Sequence, residues 1–277
     1  MEPAKPTPLV KELVDLIRSR TDVSSLRVER VVVGVFYTGV KLNTGHGGVA
    51  FTPIHEIPDA VCCPKSFGKM PSSGRLTELS LEEVFEYPYS RSPLVSAVGV
   101  AALNAVSQKI ISEKSAKYDI VYDKDALDLA GIGPEDTVAM IGAFTPYIKR
   151  LKGNVKNLYV IERNPRALSG FDLHVHPEEA SKDLLLKADV VIVSGASIVN
   201  QTIDGILGLA SQAREIILSG PTASMMPEPF FKRGVSVMGG VKIDNADRML
   251  EIVSQAGSAY TLFKECAVKM AVRKPLS

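Results

Sequence analysis

Between residues 137 and 240 the chain repeats one unit: a short apolar run, a glycine-centred turn, then a helix-like stretch. The runs are TVAMIG (137–142), NLYVIE (157–162), DVVIVSG (189–195), EIILSG (215–220) and VSVMGG (235–240). Strands that alternate with helices in this way predict a parallel sheet wrapped by helices, an α/β fold of the doubly wound kind. Such a sheet takes small molecules in the crevice beyond the C-terminal ends of its strands. Here those ends carry AFTP, ERNP, GASIVNQT and GPTAS, so the chemistry is expected there.

The segment before this array has a different grammar. RVERVVVGVF (27–36) is β-branched and predicts a strand; Gly39 then reads as a turn, VKLN (40–43) as the return strand, and GHGGVAFTP (45–53) as a turn and a third strand. A Pro/Gly/Ser-rich stretch at 57–74 holds Cys62 and Cys63, and is read as a functional or a merely disordered loop. Ser80 opens a capping-box pattern, and Ser92-Pro93 starts a long helix with Val95, Val98, Ala102, Val106 and Ile110 on one face. Leu9, Leu13, Leu16 and Ile17 fit an earlier amphipathic helix capped by Thr7, with Pro8 in its first turn. The expected organisation is a smaller α+β domain over 1–114 and the α/β domain over 115–277, with an amphipathic helix in the tail near Cys266.

Bulk composition excludes several function classes. A net charge of +1 and 6% aromatic residues give no electrostatic or stacking case for nucleic acid. No apolar stretch is expected to approach the roughly 20 residues of a membrane span, and the first twenty residues lack the long uncharged core of a signal peptide. Three cysteines are too few for a disulfide framework. The expectation is a soluble cytoplasmic protein with no nucleic-acid or membrane partner, and a homo-oligomer stays open.

The candidate site residues come from the strand ends. Gly142, Phe144, Thr145 and Pro146 form the first strand-to-helix turn, where Thr145 reads as an N-cap and free amides could hold an anion; an ordinary tight turn satisfies the same letters. Only Gly142 matches a dinucleotide fingerprint, so an intact pyrophosphate cradle is not expected. Glu162 follows by about 20 residues, the offset of ribose-binding acids, or else is a solvated strand-end carboxylate, and Asn164-Pro165 fixes the next turn. Ser197, Asn200 and Thr202 supply more neutral polar groups than one helix cap requires. Gly220, Pro221 and Thr222 bring a fourth loop to the same rim.

Tyr37 and Lys41 lie on the hairpin that could close over this crevice, Lys41 being either an anion partner or a solvated strand lysine. His174 and His176 share one side of an extended DLHVHP and, with Glu162, are the metal-ligand candidates; a polar edge strand is the plainer reading. No HExxH, CxxC or GxSxG is present.

VAMIGAFTPYI, NLYVIERNP, DVVIVSGASIVNQTIDGIL and LSGPTASMMPEPFFKRGVSVMGG together resemble a prokaryotic family of unknown function, the putative heavy-metal chelation domain. The resemblance covers 137–240, and the preceding YTGVKLNTGHGGVAFTP is similar to the N-terminal domain of enolases. It implies an enolase-N-like domain joined to a Rossmann-like domain, with a site at their interface. It also implies a metal ion or metal complex as ligand, with Gly142, Pro146, Glu162, Asn200, Thr202, Gly220, Pro221 and Thr222 as motif positions. Of these only Glu162 is a strong metal ligand.

The leading expectation is a protein that binds a metal, a metal complex or its chelator, whether or not it also catalyses a reaction. A nucleotide- or S-adenosylmethionine-dependent transferase and a non-catalytic sensor or scaffold are the alternatives.

Overall fold

The computed structural model describes residues 7–54, 70–113 and 118–275; His55, Cys62 and Cys63 lie outside them. Helix α1 (Pro8–Arg20) buries Leu9, Val10, Leu13, Val14 and Ile17, with Leu16 at the margin. Thr7 stands at its N-cap but its hydroxyl makes no capping bond, contrary to the sequence expectation.

Three strands follow: β1 (Val28–Val33), β2 (Tyr37–Leu42) and β3 (Gly47–Phe51), paired antiparallel in the order β1-β2-β3. The hairpin turn falls at 34–36, and Gly39 lies inside β2 opposite Val32. Its glycine fits a close approach of a later helix: a Cβ there would lie 2.8 Å from Met249 Sδ and 2.9 Å from a Leu250 methyl, so those side chains would have to shift. The expected capping box is present at the start of α2 (Leu81–Val84), where Ser80 and Glu83 satisfy each other's backbone amides.

Helix α3 (Pro93–Glu113) is apolar around most of its circumference. By length and composition it could cross a membrane, contrary to the sequence expectation that no apolar stretch approaches that length, but 89% of its most apolar window is buried inside the molecule. One side packs on β2 and β3, and other sides meet α1 and the connections of the larger sheet. Three buried polar side chains of α3 each capture a backbone carbonyl. Ser96 donates to Val199 O (2.8 Å), Asn104 to Val49 O (2.7 Å) and Thr222 O (2.9 Å), and Gln108 to Val241 O (2.7 Å).

The second half contributes β4 (Ile120–Tyr122), α4 (Ala126–Leu129), β5 (Thr137–Ile141), α5 (Thr145–Leu151), β6 (Asn157–Ile161), β7 (Val175–His176), α6 (Ser181–Leu185) and β8 (Val190–Ser194). It continues with α7 (Ala196–Val199), α8 (Ile203–Leu209), β9 (Glu215–Ser219), α9 (Glu228–Phe231), β10 (Val237–Ile243), α10 (Ala246–Ser254), α11 (Ala259–Glu265) and β11 (Ala267–Arg273). The sheet order is β4-β11-β10-β9-β8-β5-β6-β7. Strands β5 to β10 all run parallel, and β11 is antiparallel to both β10 and β4.

Side chains alternate between two buried layers. Val138, Met140, Val190 and Ile192 join one core with α4 and α5; Ala139, Val191 and Val193 join the other, which α3 and α1 complete. The sheet is therefore doubly wound and Rossmann-like, with a smaller α+β unit on one face. The chain leaves β5 toward β6 on one side and returns to β8 on the other, so the order reverses between β5 and β8.

His46 shows how the α+β unit responds to acid. Its ring bonds Thr44 Oγ1 (2.9 Å) and Ser112 Oγ (3.2 Å), and burial, with Lys109 nearby, pushes its pKa below the ordinary 6.5 against a smaller opposing pull from Glu113. The unfolded chain then binds the proton more readily, so this stability is full above pH 6.5 and is lost as pH falls below it. Urea midpoints measured at pH 7.5 and pH 5.5 are expected to fall further in the natural protein than in His46→Gln.

Candidate functional site

At the reversal point a cleft of about 730 Å³ opens beyond the strand ends. Its floor is built from four connections: Ile141–Phe144 after β5, Ile161–Asn164 with Arg166 after β6, Ser194–Ser197 with Asn200 and Thr202 after β8, and Gly220–Thr222 after β9. Tyr37, Phe51 and Pro53 of the α+β unit form the roof. Of the residues expected at the site, Gly142, Phe144, Glu162, Asn164, Ser197, Asn200, Thr202, Gly220, Pro221, Thr222 and Tyr37 all line this one space.

Backbone conformation lets the floor come close to an occupant. Gly142 has φ +93° and Gly220 φ +114°, which side-chain-bearing residues rarely adopt. At Gly142 a Cβ would also meet Ser194 Cβ at 3.0 Å, so the β5 and β8 turns touch.

Glu162 has a different role from the expected ones. Its Oε2 accepts from Ala143 N (3.0 Å) and its Oε1 from Asn164 N (2.9 Å), so one carboxylate ties the β5 turn to the β6 turn. The amide that a pyrophosphate would use is thus already occupied by the protein's own anion. The α5 start differs too: Phe144 is the N-cap, Thr145 is the first helical residue and makes no capping bond, and neither Thr145 nor Pro146 lines the cleft. Phe144 stacks on Tyr147 at 5.3 Å between ring centres, and Tyr147 is held by Asp125 and by Ser219 Oγ at 2.8 Å.

Two expectations are corrected. Lys41 lies further along β2, on the face shared with Tyr37, where its Nζ pairs with Glu29 (2.8 Å) and Asp247 (2.9 Å), both of which raise its pKa; it does not line the cleft. His174, His176 and Glu162 do not assemble a metal site: among the described residues no three His, Cys, Asp or Glu side chains converge on a point an ion could occupy. The two imidazoles do adjoin, edge to face at 4.5 Å, and burial with the neighbouring His174 pushes the pKa of His176 down. Glu162, however, is turned away into the β5 and β6 amides.

Sequence reasoning missed Arg163, Arg166, Glu178 and Ser181 on the rim, and Phe51 and Pro53 on the roof. Arg163 is bidentate to Glu178, at 2.6 and 2.9 Å. The one usable signal was position, since ERNPR directly follows the β6 end where crevice residues belong.

The roof is fixed to the floor by hydrogen bonds. Phe51 N donates to Thr222 Oγ1 (2.9 Å), and the Asn104 amide bridges Val49 O and Thr222 O.

Comparison with known proteins places this architecture. Sequence models described as putative heavy-metal chelation match residues 15–107 and 125–272. An uncharacterized protein of Methanocaldococcus jannaschii is 33% identical over 193 residues, 69% of this chain and 70% of that one. A crystal structure of a protein of unknown function from Pyrococcus horikoshii superposes with TM-score 0.78 at 24% identity, over 96% of this chain and 100% of that one. Another, from Desulfitobacterium hafniense, gives 0.75 at 20% identity over 96% and 98%. Both share the whole fold, including the α+β unit on the doubly wound sheet. The chain belongs to the putative heavy-metal chelation family.

Proposed function

We propose that this protein binds an organic ligand, a chelator or a metal–chelate complex, in the cleft between the Rossmann-like crevice and the α+β roof, and that any metal arrives with that ligand. The observation that carries this reading is the donor chemistry of the cleft. Eleven sequence-selected residues meet there, yet their side chains are hydroxyls, amides, aromatic rings and one carboxylate already bound by two backbone amides. Such groups orient an organic molecule; they are poor direct ligands for a transition metal. Gly142 and Gly220 admit the ligand close to the backbone, Asn200, Thr202 and Thr222 orient it, and Tyr37, Phe51 and Phe144 cover its apolar surface. A dinucleotide is disfavoured because Glu162 occupies the Ala143 amide.

Calorimetry on chelator-stripped protein tests this with nickel(II) offered three ways: as the free ion, as its citrate complex, and as its tris(ethylenediamine) complex. At least one complex is expected to bind at one site per chain, and Asn200→Trp, which fills the cleft, is expected to abolish that binding. Equal binding of the free ion and the complexes, untouched by Asn200→Trp, overturns the reading. A thermal shift with NAD, NADP, S-adenosylmethionine or ATP that disappears in Glu162→Ala favours the transferase alternative.

A further inference from the structure

The polar groups of the cleft are unequally satisfied, and the imbalance has one direction. The acceptors with the greatest charge are already engaged. Both oxygens of Glu162 take backbone amides, and both oxygens of Glu178 take the Arg163 guanidinium. Several of the donors are not engaged. Asn200 has its Oδ1 fixed by Thr202 Oγ1 at 2.7 Å, which settles the amide orientation and leaves both Nδ2 hydrogens without a partner among the described residues. Ser194 Oγ accepts from Ala196 N at 3.3 Å and Thr222 Oγ1 accepts from Phe51 N at 2.9 Å, so each keeps its own proton to give. Tyr37 has its phenol pushed up to about 12 by burial and remains a donor at neutral pH. Arg166 lines the same cleft, and among the described residues its guanidinium makes no ion pair or hydrogen bond; its backbone amide alone is used, to Asn164 Oδ1 at 3.1 Å.

A cleft whose acceptors are satisfied and whose donors are open is complementary to a ligand rich in acceptors. From the juxtaposition of Arg166 and the open Asn200 amide in a cleft whose carboxylates are already hydrogen-bonded within the protein, we infer that this cleft selects organic acids carrying two or more carboxylates or comparable oxyanions on an apolar body. Arg166 forms a charge-assisted pair with one acid group at the mouth, while Asn200 and the Ser194 and Thr222 hydroxyls receive a second acid group at the floor. The apolar body lies between Phe144 and the Tyr37–Phe51 roof. A neutral compound of the same size meets these donors with weaker, uncharged acceptors and gives Arg166 no counter-charge, and a cationic one leaves the donors unpaired, which is the physical basis of the discrimination.

This inference rests on the ligand-binding reading above, and the experiment separates the two. Benzene-1,3,5-tricarboxylate and the uncharged benzene-1,3,5-tricarboxamide have the same skeleton and differ in charge. Isothermal titration of the full-length protein with each is expected to show the tricarboxylate binding at least about tenfold more tightly, with an affinity that falls as salt is raised. Arg166→Ala is expected to weaken the tricarboxylate by about tenfold and the uncharged carboxamide far less, whereas Asn200→Leu is expected to weaken both, the tricarboxylate by about tenfold. Arg166 is exposed, so its variant tests charge without disturbing the fold. Nickel–citrate is likewise expected to bind and the cationic ethylenediamine complex not to. Tighter or equal binding of the carboxamide or the cationic complex, abolished by Asn200→Trp, overturns the acid selectivity and leaves the ligand-binding reading standing. Absence of binding by every probe overturns both.

Discussion

The Asn104→Leu variant is expected to lose about 3 kcal/mol of unfolding free energy, although the side chain keeps the same number of heavy atoms and the same branching. Asn104 is fully buried, and its Nδ2 supplies a hydrogen to Val49 O on β3 and another to Thr222 O on the β9 loop. Leucine strands both carbonyls, at roughly 1–3 kcal/mol each. Two gains offset part of this: leucine buries more apolar area, and it removes an Oδ1 that has no partner among the described residues. The net should be a clear loss in a urea titration, with amide exchange at Phe51 accelerated because its acceptor Thr222 is no longer braced. A change below about 1 kcal/mol would show that the bridge between roof and floor is not what holds them together.

Gly48→Ala is expected to be at least as damaging, about 3 kcal/mol or more, for a different reason. A Cβ at this position would lie 2.3 Å from both Ala101 O and Ala105 N. Both are backbone atoms of α3, so no rotamer change relieves the clash, and the helix must shift away from β3. Gly47→Ala is the matched control. Its Cβ would meet only side-chain atoms of Ala246, Ile243 and Met249, each at 3.0 Å, and it is expected to cost about 1 kcal/mol. Chemical denaturation of the pair decides whether the close helix–strand approach, rather than the absence of a side chain as such, is what position 48 requires. Because β3 carries Phe51 into the roof, Gly48→Ala should also weaken the tricarboxylate probe, whereas Gly47→Ala should not.

The α/β half of the fold was legible because buried parallel strands are written as contiguous apolar runs. The β5, β6, β8 and β9 boundaries fall within a residue or two of the runs that announced them. β11 was not legible: AVKMAVR follows directly on a helix, and its partners β10 and β4 are distant in sequence. Gly39 misled because glycine marks turns and close packing alike, and only the positions of Met249 and Leu250 show which applies. At the site, the floor was readable since each loop follows its own strand. The roof and rim were not. Phe51 and Pro53 belong to strand-end residues with no local motif, and Arg166 is one arginine in a polar turn. Lys41 attracted attention as a cation on the hairpin; it shares the Tyr37 face of β2, but Glu29 and Asp247 hold its ammonium four residues along the strand from the end that meets the cleft.

Helix α3 gives its circumference to two sheets at once, with Gly48 against one side and the carbonyls of Val199, Thr222 and Val241 captured on others. Volume changes along it are therefore felt across a helix diameter, about 10 Å, at the strand-end loops. Those loops and the hairpin above them are bound to co-vary, each constraining the other's drift. The segment from Arg163 to Arg166 escapes that coupling, since it is anchored to Glu178 and Glu162 instead. In descendants of such a chain, a change of ligand is thus most accessible at that rim, where a side chain can be exchanged without renegotiating the interior.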